Sequence, residues 1–116
     1  MEAIDKTRVQ ELLDELAGTP LYIHLETTNG AYASHVNESF FSAGAFIRNV
    51  KLTFLHGKIA GAGPYRIGFE TELGWLYGEG LTDFEVDKEG RYLFAGHDAD
   101  GRLAIALELS REPFTK

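Results

Sequence analysis

LYIHLETTNGAYASHV, residues 21–36, decides what kind of fold this chain adopts. Leu21, Ile23 and Leu25 alternate with Tyr22, His24 and Glu26, the period-two pattern of a half-buried strand. Asn29-Gly30 follows, the strongest short-range hairpin signal, because a type I′ turn needs positive φ at both central residues. Residues 31–36 are then the expected return strand. The chain reads as β from here on.

Upstream of this stretch the period is different. Val9, Leu12, Leu13 and Leu16 follow i, i+3, i+4, i+7, with Glu11, Asp14 and Glu15 on the other face, which predicts a helix over about residues 5–17. Asp5 or Thr7 caps its start, Thr7 forming a capping box with Gln10; Gly18 stops it and Pro20 prevents continuation. Downstream, strands recur. AFIRNVKLTFLH runs to Gly57 and KIAGAG returns from it; YRIGFE, GWLYGEG, LTDFEV, RYLFAG and RLAIALELS follow. Turns are expected at Asp87–Gly90 and Asp98–Gly101. Pairing His97 with Arg102 puts Tyr92 and Phe94 beside Leu107 and Ile105 on one face.

The expectation is a mainly β (α+β) fold: a small antiparallel β-barrel or sandwich of about eight strands with one N-terminal helix. Glycines at 61, 63, 68, 78, 80 and 96 fit bulges and the tight coiling of a barrel. The β region spans about residues 20–110, and the 116 residues form a single domain, 1–116.

Composition narrows the function classes. There is no cysteine, so thiolate catalysis, disulfides and thiolate metal sites are excluded. No apolar run approaches the roughly 20 residues that cross a bilayer. The acidic start MEAIDKTRVQE lacks the basic-then-apolar order of a signal peptide, and a cytoplasmic protein is expected. Eleven basic against eighteen acidic residues give a net charge of −7, which repels nucleic acid and anionic membranes alike.

The candidate chemistry starts at the opening stretch. With a two-residue turn, His24 lies opposite His35 and Glu26 opposite Ala33, so His24, Glu26 and His35 share a face. Two histidines and a carboxylate with open positions suit a divalent metal such as iron or zinc. The same residues also suit a plain solvated face, and a three-residue turn with a bulge would turn His35 away. A ligand-binding set is drawn from Arg48, Asn49, Tyr65, Arg66 and His97. Arg48-Asn49 interrupts an apolar strand and so faces a lumen or cleft. Tyr65-Arg66 offers a ring and a planar cation to an anion. His97 beside Asp98 has the makings of a general base, in what is equally a turn. His56, beside Gly57, is expected at a hairpin tip, and Trp75, the single tryptophan, in the core. No serine lies in a nucleophile-elbow context.

Taken together, YIHLETTNGAYASH, AFIRNVKL, GPYRIG, GWLYGEGLT, AGH and LAIALELSREPF resemble the YojF family of small proteins from Bacillus and its relatives, across nearly the whole chain. That family has no established catalytic residues to carry over. The resemblance implies a context: its genes tend to neighbour one for a zinc-dependent deacetylase of the LmbE type, linked to bacillithiol synthesis. Two functions are therefore expected. One is a non-catalytic accessory or small-ligand-binding protein associated with that deacetylase. The other is a metal-dependent enzyme or metal-binding protein built on His24, Glu26 and His35. Exposed strand edges make a homodimer the default assembly.

Overall fold

The computed structural model describes residues 1–27 and 44–115. Among them one helix, α1 (Lys6–Leu16), accompanies nine strands: β1 Glu2–Ala3, β2 Leu21–Thr27, β3 Phe46–Leu52, β4 His56–Ala60, β5 Tyr65–Thr71, β6 Gly74–Leu81, β7 Asp83–Val86, β8 Tyr92–His97 and β9 Leu103–Ser110. They form two antiparallel sheets, of order β1-β7-β8-β9-β2-β3 and β4-β5-β6. The fold is a sandwich-like α+β arrangement. The alternative of a closed barrel is corrected: among the described residues no ladder joins the two sheets.

Alternation explains the core. Leu21, Ile23 and Leu25 of β2 lie opposite or beside Ile105, Leu107 and Leu109 of β9, all on one face and all buried. Phe94 of β8 joins them. The small sheet contributes Ile59, Ile67, Phe69 and Leu81, and α1 adds Val9, Leu13 and Leu16 from its single apolar stripe.

Asp5 is the N-cap of α1, accepting from the Arg8 amide at 3.3 Å. Gln10 is not a capping-box partner. Its Nε2 donates to the Gly57 carbonyl at 2.9 Å and its Oε1 accepts from the Ile59 amide at 3.0 Å. The side-chain amide thus pairs with β4 as a neighbouring strand would, and blunts that edge.

The long strand expected to end at Gly57 is broken in two. Leu52 is still paired with Leu21 in the large sheet, whereas His56 is already paired with Glu70 in the small one. Between them Phe54 turns into the core, fully buried, its ring 5.0 Å from that of Phe69. Burying this ring is worth about 2–3 kcal/mol, which favours the crossing over a hairpin. KIAGAG therefore pairs with YRIGFE, not with AFIRNVKL, and His56 begins a strand instead of sitting at a hairpin tip.

Glycine reports the sheet-to-sheet contact rather than barrel coiling. A Cβ on Gly96 would lie 2.0 Å from the Gly80 carbonyl oxygen, and one on Gly78 would lie 3.1 Å from Leu107 Cδ2. β6 therefore crosses directly on β8 and β9, and only glycine permits that approach.

Both expected turns form, with one shared geometry. In DKEGR and DADGR the aspartate amide donates to the arginine carbonyl (3.0 and 2.9 Å), and the aspartate carboxylate receives two backbone amides. Gly90 and Gly101 take φ +76° and +77°, as a type I turn followed by a left-handed residue requires. Asp98 pairs with Arg102, so the loop holds three residues, and a bulge follows at Gly96/His97. Tyr92 consequently faces Leu109, and Phe94 faces Leu107. The slip relative to the expected register is two residues, which keeps the same side chains inward.

Candidate functional site

On the outer face of the large sheet, His24 lies between Arg48 on β3 and Glu108 on β9. Both flanks of β2 are occupied from Tyr22 to Glu26, by β3 on one side and β9 on the other. His35 and the Asn29-Gly30 turn themselves lie outside the described residues. Asn49 is the extra residue of a bulge in β3, at φ +61°. That geometry aims both ends of its amide at the tail: Oδ1 accepts from the Phe114 amide at 2.7 Å and Nδ2 donates to the Phe114 carbonyl at 2.8 Å. Arg48 completes the clamp, donating from Nε (3.1 Å) and Nη2 to the Thr115 carbonyl. Arg48-Asn49 thus faces no lumen; it fastens the chain's own C-terminal segment.

His24 is buried under that segment, its ring 6.1 Å from Phe114 and 5.5 Å from Phe46. Arg48 Nη1 lies 3.1 Å from Nδ1 of His24. A guanidinium only donates, so Nδ1 accepts and the ring hydrogen sits on Nε2, 4.0 Å from Glu26 Oε2. Only Nε2 therefore faces a carboxylate. Among the described residues no three histidine or carboxylate side chains converge to hold a metal.

His97 is paired with Asp83, not with Asp98: its Nδ1 is 3.1 Å from Asp83 Oδ1. Asp98 is committed to its own turn. The Thr82 hydroxyl donates to Asp83 at 2.6 Å and also lies 3.4 Å from the same Nδ1. Hydroxyl and carboxylate meet one ring nitrogen, so they do not form a nucleophile–base–orienter relay, which needs both nitrogens. The Thr82 hydrogen bond holds the Asp83 carboxyl below the usual carboxylate range against partial burial, and the His97 ring adds to the effect.

The small sheet carries the third group. Tyr65 and Arg66 line an open cleft of about 360 Å³ with Gly61, Pro64 and Glu79. Arg66 is ion-paired there with Glu79 through Nε and Nη2, so its charge is already answered. Its guanidinium also lies over the Tyr77 ring, 5.2 Å from the centroid, and Tyr77 stacks on Trp75 at 5.6 Å with 6° between the planes. Beneath the rings is Gly68, where a Cβ would meet Tyr77 Cε1 at 2.7 Å and Trp75 Cε3 at 3.3 Å. Trp75 is 49% and Tyr77 47% exposed, so the single tryptophan belongs to an outer face and not to the core. The signal was in the parity of GWLYGEG: Trp75 and Tyr77 share a face with Glu79, and buried Gly78 lies on the other.

Fold and sites together define a small two-sheet α+β domain. Arg48, Asn49, Arg66 and His97 are tied to its own chain, and an aromatic face looks outward. The chain belongs to the family described as "Protein of unknown function (DUF1806)", whose model matches residues 3–114. It is 53% identical over 115 residues to the "Uncharacterized protein YojF" of Bacillus subtilis (strain 168), covering 99% of each chain. The crystal structure of the Bacillus subtilis YojF protein superposes with a TM-score of 0.79 at 46% identity, covering 99% of this chain and 97% of that one. The expected family resemblance is thereby established. No helix among the described residues is long and apolar enough to cross a membrane.

Proposed function

We propose that this protein is a non-catalytic, cytoplasmic binding protein that docks on a larger partner through the outer face of its small sheet. The supporting observation is the stacked, half-exposed Trp75–Tyr77 pair on a three-stranded sheet. Exposed aromatics of this kind are enriched at interface centres and depleted on inert surfaces. Arg48, Asn49, Arg66 and His97, by contrast, have intramolecular partners. The partner proposed is an LmbE-type deacetylase of bacillithiol metabolism, on the family context.

The test is co-elution of the two purified proteins in size-exclusion chromatography, with calorimetry for affinity. A complex that is lost in a Trp75→Ala/Tyr77→Ala variant supports the reading. No complex, with deacetylase activity unchanged on adding this protein, sinks it. Light scattering on the protein alone tests the homodimer expected from exposed strand edges, and a dimer lost in the same variant would instead put a second copy on the aromatic face.

A second reading rests on the 4.0 Å approach of His24 Nε2 to Glu26: a divalent metal held by His24, Glu26 and His35, with Arg48 drawn off Nδ1 so that the ring hydrogen moves there and frees Nε2. Near-stoichiometric metal in protein purified without a histidine tag, lost in His24→Ala and in His35→Ala, would carry it. A parent that takes up neither zinc nor iron would end it.

A further inference from the structure

The order of groups along the small sheet's outer face suggests what binds there. Register places Gly68 opposite Tyr77 and Glu70 opposite Trp75, with Arg66 beyond Tyr77 toward Glu79. The column therefore runs Glu79, Arg66, Tyr77, Trp75. One side of Tyr77 holds a guanidinium and the other holds the indole. Trp75 is the last ring of the column, and the turn at Glu72 and Leu73, the latter fully exposed, immediately precedes its strand.

Two planar groups extend such a column: a nucleobase and a guanidinium. Charge chooses between them. Trp75 faces Glu70 across the ladder, Glu72 lies in the turn three residues before it, the chain carries −7 overall, and the Arg66 cation is already paired with Glu79. On the neighbouring strand, exposed His56 lies directly opposite Glu70 and exposed Lys58 directly opposite Gly68. With Arg66 and Glu79 cancelling, Glu70 and Glu72 outnumber Lys58 on this side of a chain of net charge −7, which disfavours a nucleotide phosphate. A guanidinium would stack on the indole while a carboxylate accepts its N–H groups, repeating the Glu79–Arg66–Tyr77 arrangement one place along.

We infer that the open face of Trp75 is a docking site for an arginine side chain presented by the partner protein, with Glu70 and Glu72 as its counter-charges. This rests on the reading of the small sheet as the docking face and names the chemistry the partner must carry there. A lysine fits less well, because a compact ammonium neither stacks nor offers a planar fork.

Trp75 is the only tryptophan, so its fluorescence reads the site directly. The probes are the capped peptides Gly-Arg-Gly-Arg-Gly and Gly-Lys-Gly-Lys-Gly, and adenosine monophosphate. A saturable change in emission with the arginine peptide is expected. The lysine peptide, and the arginine peptide on a Glu70→Gln/Glu72→Gln variant, should each bind about fivefold more weakly. An unchanged emission with the arginine peptide overturns the inference. So does an equal response to lysine, or a response to the nucleotide alone. The chromatographic test is independent: a complex that is lost in Trp75→Ala/Tyr77→Ala while Trp75 ignores the arginine peptide keeps the docking reading and removes only the arginine.

Discussion

At the scale of single residues, two glycines show how one substitution has opposite consequences. An alanine methyl at Gly96 meets the Gly80 backbone oxygen at 2.0 Å, which does not move without separating the sheets, and Ile105 Cγ2 at 2.5 Å on the neighbouring strand. Gly96→Ala should cost about 3 kcal/mol or more, measured as a drop in the urea midpoint. At Gly68 the obstacles are the ring edges of Tyr77 and Trp75, half-exposed side chains that swing aside. Gly68→Ala should leave the midpoint within about 1 kcal/mol and show itself in Trp75 emission. Neither role was readable in advance. Both glycines look alike within a strand pattern, and what distinguishes them is the atom above each.

At the scale of elements, the DKEGR turn is held by Asp87. Its carboxylate receives the Glu89 and Arg91 amides at 2.9 Å and the Arg91 Nε at 2.6 Å. Burial pushes its carboxyl up, but these donors and the Arg91 charge outweigh it and hold the group below its ordinary value. A carboxyl lowered in the folded state contributes stability that is complete above the unfolded value, near 3.8, and lost as pH falls through the folded one. Asp87→Asn keeps an oxygen for the turn amides and loses the charge. The parent should therefore be more stable than the variant at pH 6, with the gap closing below about pH 4. Denaturation curves at both pH values check this.

The tail is the other element-level device. Asn49 holds Phe114 only because a bulge puts it at φ +61°, where asparagine is tolerated and glycine is unstrained. Asn49→Gly should keep the bulge and lose both hydrogen bonds to Phe114. At about 1 kcal/mol each, trypsin cleavage after Arg111 should accelerate about thirtyfold. An unchanged cleavage rate would mean that Arg48 and the Phe114 ring suffice. The interruption of AFIRNVKL by Arg48-Asn49 was plain in the sequence. Its meaning was not, because its partner lies 65 residues away.

At the scale of the molecule, α1 and the crossing of β6 on β8 join two sheets that share no ladder among the described residues. Leu13 sits at that junction, fully buried, its Cβ 3.2 Å and Cδ2 3.5 Å from where a Cβ on Gly57 would stand. Leu13→Ala opens a cavity between helix and sheet and should cost 2–5 kcal/mol. The loss should appear as one transition, with far-ultraviolet circular dichroism and Trp75 fluorescence melting together. Two separated transitions would show that the small sheet stands alone.

What the sequence determined by itself is what local periodicity and turn chemistry dictate. Those forces fix the helix, most of the strands, the Asp-x-x-Gly turns and the inward residues of β2, β8 and β9, because alternation survives a register slip of two. Only tertiary packing decided which strands share a sheet. The burial of Phe54 sends the chain across at residue 54, and nothing local distinguishes that crossing from a hairpin. Packing also assigned each polar candidate its partner: His97 to Asp83, Arg66 to Glu79, Arg48 and Asn49 to the tail. It put Trp75 outside, since exposure depends on what stands opposite, and opposite Tyr77 stands a glycine that gives both rings their place.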